Sequence, residues 1–255
     1  MAESDSCIAI ASALPEEIGG LVEQADVERR ETWDERDVSV GTLGGRRVVL
    51  LHTGTGQERA REGIATLLNR RSVSALWYVG VAGALDPSLA VESILVPTSV
   101  RTEDGQSVPS PDPQWTERVS AHGDGSARTG TLVTVDRVIT QPEEKAALRD
   151  ALALDGPAAI DMETAAVARA AAEQGVPYLS LRVISDTADE SLPDLLKDAQ
   201  REDGSIDRTR VMQSVVWTPS AVPALMRMRR RVQSAADILA ERVSAALRRS
   251  STPEA

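Results

Sequence analysis

Residues 160–189 read IDMETAAVARAAAEQGVPYLSLRVISDTAD, and the fold of the chain turns on this stretch. The run from Thr164 to Gln174 is rich in alanine, the strongest helix former. Gly175 suits the residue just past a helix end, and Val176-Pro177 favours extended backbone. Tyr178 to Ile184 is short and apolar, the pattern of a strand buried on both faces of a parallel sheet. The stretch therefore predicts strand, helix, strand, loop. Acids stand at both strand ends: Asp161 and Glu163 after the first, Asp186 and Asp189 after the second. Ligands of open α/β sheets bind outside the carboxyl ends of strands, so Glu163 and Asp186 are candidate pocket residues.

Upstream, Cys7 to Ala13 is an apolar run that predicts a first strand. Pro15, Glu16 and Glu17 then match the first turn of a helix, where proline is tolerated and acids complement the dipole. Asp37–Thr42 and Arg46–His52 flank Leu43-Gly44-Gly45, a hairpin signal. The second of these strands enters Thr53-Gly54-Thr55-Gly56, followed by a helix from Gln57 to Asn69. Glycines at a strand-to-helix turn let backbone N–H groups approach a ligand oxygen. Neither the phosphate-binding P-loop nor the full dinucleotide fingerprint is present. Ser74 to Val79 predicts a third core strand, ending in a second small-residue turn, Gly80-Val81-Ala82-Gly83. Ser93 to Thr98 is extended and ends near Pro97. Residues 101–126 read as a long polar surface excursion carrying Trp115. Thr129 to Val135 predicts a strand, with Asp136 to Ile139 at its end, and Pro142 to Leu152 a helix. Beyond Glu190 the pattern is helical: Pro193–Ala199, Thr209–Trp217 and a long amphipathic run over Ser220–Arg248.

Composition bounds the function. The chain has 255 residues, 26% of them charged, and a net charge of -11. Nucleic-acid binding needs a basic footprint, so no nucleic-acid partner is expected. Cys7 is the single cysteine, which rules out an intrachain disulfide, and His52 and His122 form no ligand cluster for a metal. There is no phenylalanine, so the core must be built from valine, leucine, isoleucine and alanine. No apolar stretch reaches the length of a membrane span, and the acidic start MAESDS is unlike a secretion signal; a cytoplasmic location is expected. Residues 226–250 carry seven arginines against two acids, which suits a solvated helix face or contact with an anionic membrane or partner surface.

Taken in order, IAIASALPEEI, HTGTG, VGVAGALD, IDMETAAVA and LRVISDTAD resemble the nucleoside phosphorylase and nucleosidase superfamily, in particular its methylthioadenosine/S-adenosylhomocysteine nucleosidase type. The match covers about Ile8 to Asp189. GTGQERAREG, ESLPDLLKDAQREDGSIDR and the long C-terminal helix look most like the hopanoid-associated branch. The resemblance implies one α/β domain over residues 1–255, with a central mixed, partly barrel-like sheet flanked by helices. Its core spans about 7–190, followed by a helical extension over about 191–249. It implies cleavage of the purine N9–ribose C1′ bond without a cofactor, and a homodimer. In that resemblance Glu17 is the base that activates water and Glu163 accepts hydrogen bonds from ribose hydroxyls, with Met162 under the sugar. Asp186 serves purine N7 and Ser185 steadies it. Arg182 lies near ribose and the attacking water, and the Ile139 backbone holds the adenine edge. Val138 stands where the nucleosidase type has a stacking aromatic. Thr55 with Gly56, and Val81 with Ala82 and Gly83, line the ribose and nucleophile; Thr55 and Val81 depart from the nucleosidase pattern.

The chemistry suits those residues. Glycosidic cleavage develops positive charge on ribose, requires a protonated leaving purine, and requires an activated nucleophile. Phosphate could replace water as co-substrate. The superfamily's phosphorylases carry an arginine before the second glycine turn, whereas this chain has Trp77-Tyr78-Val79. Arg59 is the alternative anion ligand. A nucleosidase, a phosphorylase and a non-catalytic nucleoside-binding protein are the three readings the sequence leaves open. A long apolar 5′ substituent would call for an apolar mouth beside Leu14 and the C-terminal helices.

Overall fold

A computed structural model describes residues 6–121, 127–201, 203–207, 209–211, 213 and 219–249. Among the described residues nine strands form one sheet, with β2 (Asp26–Trp33), β3 (Arg36–Leu43), β4 (Arg46–His52), β1 (Cys7–Ser12), β5 (Val73–Ala84), β8 (Ala158–Asp161), β7 (Ala127–Thr134), β6 (Ile94–Thr102) and β9 (Tyr178–Asp186) side by side in that order, and β9 pairs back onto β5. Strands β5, β8, β7, β6 and β9 therefore close a five-stranded ring, from which β1, β4, β3 and β2 continue as an open wing.

The strands arise where apolar runs can be buried on both faces. Strand β1 (Cys7–Ser12) is buried at every residue and lies parallel between β4 (Arg46–His52) and β5 (Val73–Ala84). Strand β9 (Tyr178–Asp186) is likewise buried throughout and runs parallel to β5. The hairpin of β3 (Arg36–Leu43) and β4 turns at Gly44 and Gly45, both at positive φ, as a tight hairpin demands. Strand β2 (Asp26–Trp33) pairs antiparallel with β3. It carries no apolar run, since only Trp33 is buried, and the sequence reading passed over it.

Three further elements differ from expectation. Strand β5 does not stop at Val79. It runs through Gly80–Ala84, so the second small-residue turn is strand, with Gly80 opposite Arg182 and Gly83 opposite Asp186. Small residues are needed there for the side chains that close on the strand. Strand β6 (Ile94–Thr102) also passes Pro97, with a register shift between Pro97 and Ser99 against β7 (Ala127–Thr134). Proline removes a ladder donor, and the irregularity accommodates it. Within residues 101–126, Pro113–Ser120 form helix α3, capped by the Asp112 carboxylate. Its Trp115 ring meets Trp77 edge-on at 5.3 Å, so that segment covers the core. Residues 122–126, with His122, lie outside the described residues.

Around the sheet lie α1 (Pro15–Gln24), α2 (Gln57–Arg70), α4 (Pro142–Ala151) and α5 (Thr164–Glu173). The alanines of α5 let it sit close against α2, and seven of its ten residues are buried. Downstream, α6 covers only Leu195–Asp198, and the long α7 (Val222–Arg249) lies against α1 and β9. Most of the helix expected over Thr209–Trp217 lies outside the described residues.

Candidate functional site

The carboxyl ends of β1, β5, β7 (through the residues that follow it), β8 (Ala158–Asp161) and β9 meet at one cleft. It encloses about 170 Å³ and is lined by Glu17, Met162, Glu163 and Asp186, with Val138 and Ile139 on the side of β7. Thr55, Val81, Ala82, Gly83 and Ser185 also line it. Two of the expected residues stand behind the surface. Gly56 donates its N–H to Glu163 Oε1 at 2.8 Å, and Arg182 is 1% exposed beneath the floor.

Glu17 sits in the first turn of α1, buried to 2%. Its Oε2 accepts from Leu14 N–H at 2.8 Å and its Oε1 from Val81 N–H at 2.9 Å. Helix-start chemistry and pocket placement thus coincide in one side chain. Burial pushes its carboxyl above the usual range, against the pull of the Val81 N–H and of Arg182. The raised affinity for a proton makes it a stronger base once ionised.

Glu163 follows β8 and occupies the position just before α5. Burial, with Asp161 nearby, pushes its carboxyl up to about 8, while the Gly56 N–H and Arg182 oppose the shift. The Gly54-Thr55-Gly56 turn is held from outside. Gly54 and Gly56 have φ of 93° and 91°, and Thr55 Oγ1 accepts from Ile206 N–H at 3.0 Å. A Cβ at position 56 would lie 3.0 Å from Asp203 O.

Asp186 ends β9. Ser185 Oγ donates to its Oδ1 at 2.6 Å, and Lys145 Nζ donates to its Oδ2 at 2.6 Å. Lys145 lies on α4, 1% exposed. Sequence reasoning placed it within the helix over Pro142–Leu152 and gave it no role. Its signal was spacing: Lys145 and Leu148 share one helix face, and both are buried.

Asp161 was noted only as a strand-end acid. It organises the floor: Arg182 Nη2 donates to its Oδ2 at 2.7 Å and Thr134 Oγ1 to its Oδ1 at 2.7 Å. Thr164 binds the same carboxylate through N–H and Oγ1. The Arg182 guanidinium stacks 4.8 Å from the Tyr78 ring centre. Gly80 leaves room for this group, since a Cβ there would meet Arg182 Nη1 at 2.6 Å and Glu17 Oε1 at 2.7 Å.

The other cations near the cleft are engaged. Arg137 pairs with Glu103 and Glu144, at 3.3 and 3.1 Å, and Arg59 lies 3.5 Å from Asp203. Arg231 of α7 donates to Ser185 O at 3.0 Å and to Glu190 at 2.6 Å. One member of the basic stretch thus ties α7 to the end of β9. Beside the cleft a second cavity of about 420 Å³ is largely apolar, with Leu14, Met162, Leu192, Leu196 and Met228 in its walls. Among the described residues no three His, Cys, Asp or Glu side chains are grouped to hold a metal ion, and no helix is long and apolar enough to cross a membrane.

Known proteins are similar to this chain in sequence and in fold. A nucleosidase for 5′-methylthioadenosine and S-adenosylhomocysteine from an Exiguobacterium species is 28% identical over 226 residues, 78% of this chain and 95% of the relative. The corresponding protein of Bacillus cereus strain G9842 is 29% identical over 201 residues, 71% of this chain and 86% of its own length. In fold, the chain matches the Streptococcus pneumoniae nucleosidase bound to a transition-state inhibitor, with a TM-score of 0.74 at 20% identity, covering 94% of this chain and 98% of the other. It matches the futalosine hydrolase of Helicobacter pylori with a TM-score of 0.74 at 18% identity, over 95% and 97% of the two chains. The sequence profile of the phosphorylase superfamily matches residues 7–216, and with the closed mixed sheet and its acid-lined cleft the chain belongs to the phosphorylase superfamily.

Proposed function

We propose that this protein is an N-glycosidase that hydrolyses the N9–C1′ bond of a 5′-substituted adenosine and releases adenine. The observation that carries the reading is the convergence of three buried carboxylates, Glu17, Glu163 and Asp186, from separate elements on one cleft. Ribose would lie over Met162 with its hydroxyls on Glu163, and the purine would lie against Val138 and Ile139 with N7 toward Asp186. Val138 supplies aliphatic packing in place of an aromatic stack. Glu17 takes a proton from water as it attacks C1′, and the electron pair of the breaking bond passes to the purine, which is protonated at N7. Glu163, once ionised, also favours the positive charge developing on ribose.

Water is favoured over phosphate by charge. A phosphate dianion needs cations free to bind it, whereas Arg182, Arg137 and Arg59 each face a carboxylate of the protein and the cleft itself is acidic. The apolar second cavity supports a 5′ substituent such as methylthio, homocysteinyl or a longer hydrocarbon. No cofactor enters this reaction, and a cytoplasmic homodimer accompanies the reading; light scattering on the purified protein tests the dimer. Contact with an anionic membrane through Arg227, Arg229 and Arg230 is tested by sedimentation with anionic vesicles.

The direct test is product analysis with a panel of adenosine derivatives, with and without phosphate. Free ribose product in both conditions supports hydrolysis. Ribose 1-phosphate formed only with phosphate would replace it with phosphorolysis, and tight binding without base release would leave a binding protein. Glu17→Gln and Asp186→Asn should each lower turnover at least about 100-fold.

A further inference from the structure

We infer that the proton taken by the departing purine originates on Lys145 and reaches the base through Asp186. The inference rests on the glycosidase reading and adds a residue to it. Both oxygens of Asp186 already accept hydrogen bonds, Oδ1 from Ser185 Oγ and Oδ2 from Lys145 Nζ. That arrangement suits a carboxylate and gives Asp186 no proton of its own to spend. The ammonium, by contrast, is fully provided with acceptors. Besides Asp186 Oδ2, Lys145 Nζ donates to Thr187 O at 2.6 Å and to Glu190 O at 3.5 Å, matching its three N–H bonds.

The choice of cation is itself informative. The chain has 26 arginines and two lysines, Lys145 and Lys197. Lys197 is a partly exposed partner of Glu144. The cation against Asp186 is the buried lysine, which can release a proton; the cation against Asp161 is Arg182, which cannot. Two buried carboxylates of one site are thus paired with cations of different chemistry. The floor pair holds its charge, and the pair at the leaving group can discharge.

The step balances. As C1′–N9 breaks, its electron pair moves onto the purine ring. Lys145 Nζ passes a proton to Asp186, which hands it on to N7, so the purine leaves neutral, Asp186 stays a carboxylate and Lys145 is left as the amine. Glu17 meanwhile takes the proton of the attacking water, whose oxygen bonds to C1′. Return of that proton through solvent from Glu17 to Lys145 resets the site. Lys145 acts through Asp186 and is a positioning and proton-supplying residue for it.

The test uses full-length protein and 5′-methylthioribosides of purines graded in leaving ability, from adenine to 6-chloropurine. Wild-type cleavage of none of them would sink the glycosidase reading itself, before Lys145 is at issue. With an active wild type, Lys145→Met should lower kcat for the adenine nucleoside at least about 100-fold, the range of a lost general acid, and for the 6-chloropurine nucleoside less than about tenfold. Lys145→Arg, which keeps the charge and cannot release the proton, should show the same selective loss. Equal losses across the series would assign Lys145 a purely structural role, and rescue by arginine would assign it a purely electrostatic one; either overturns the inference. A measurement on the wild type is independent of whether the variants fold. Labelled lysine gives two ammonium-region signals in this chain, and a neutral amine at Lys145 in the free enzyme at pH 7 would also overturn the inference.

Discussion

Gly80 and Glu17 share one space: a Cβ built on Gly80 would lie 2.7 Å from Glu17 Oε1 and 2.6 Å from Arg182 Nη1. Both neighbours are the ends of long side chains, so alanine at position 80 would displace them rather than the backbone. Gly80→Ala should therefore fold, with a stability loss of about 1–3 kcal/mol from overpacking, and lose activity at least tenfold because the base is moved. Thermal melts beside steady-state kinetics check this. An active enzyme with an unchanged melt would show that the carboxylate does not occupy this position.

The Arg182–Asp161 pair is buried on both sides, at 1% and 2% side-chain exposure. Removing one partner strands the other charge. Arg182→Met is expected to destabilise the protein by about 3–5 kcal/mol, measured by urea unfolding. Replacing both as Arg182→Met with Asp161→Asn should restore part of the loss, since no uncompensated ion then remains.

Glu163 makes stability depend on pH. Its folded-state value is raised to about 8 from 4.5, chiefly by burial. For a carboxyl raised on folding, the contribution is fully present below the unfolded value and is lost as pH rises through the folded one. Between about pH 4.5 and 8 the wild type should lose stability relative to Glu163→Gln, with a limiting slope on the order of 1 kcal/mol per pH unit. Parallel unfolding curves for the two proteins across that window would refute the assignment.

The same reasoning applies to Glu17 in catalysis. Burial raises its carboxyl, and a base acts only when ionised. The acid limb of kcat/KM should fall above the ordinary carboxylate range, so that activity is already declining at pH values where an exposed glutamate is fully ionised. A pH–rate profile of the free enzyme reads this directly.

Gly56 has a positive φ, and its N–H is bound to Glu163. Gly56→Ala brings strain and a contact of 3.0 Å with the Asp203 carbonyl, which is backbone and cannot move cheaply. The expected outcome is a raised KM with a destabilisation of about 1–3 kcal/mol, checked by kinetics and melting together.

Much of the sheet was legible because its central strands are buried on both faces: Cys7–Ser12 and Tyr178–Asp186 are buried at every residue. Strand β2 was not legible, because an edge strand with one buried side chain has no apolar run to read. Gly80–Ala84 reads as a turn from its small residues, yet the smallness serves Glu17, Arg182 and Asp186 crossing the strand. Sequence distance hides such contacts: Glu17 and Val81 are 64 residues apart, and Lys145 and Asp186 are 41 apart.

By itself the sequence determined the α/β character, the acids at the strand ends and the glycines at Gly54 and Gly56, since these follow from local periodicity and backbone freedom. The tertiary structure alone decided that β9 closes onto β5 and that Asp161 takes Arg182 while Asp186 takes Lys145. It also decided that the expected site residues of Ile160–Asp189 divide between the cleft wall and the layer behind it. Strand closure, ion pairing and desolvation depend on which groups meet in space, and no local stretch of the chain carries that information.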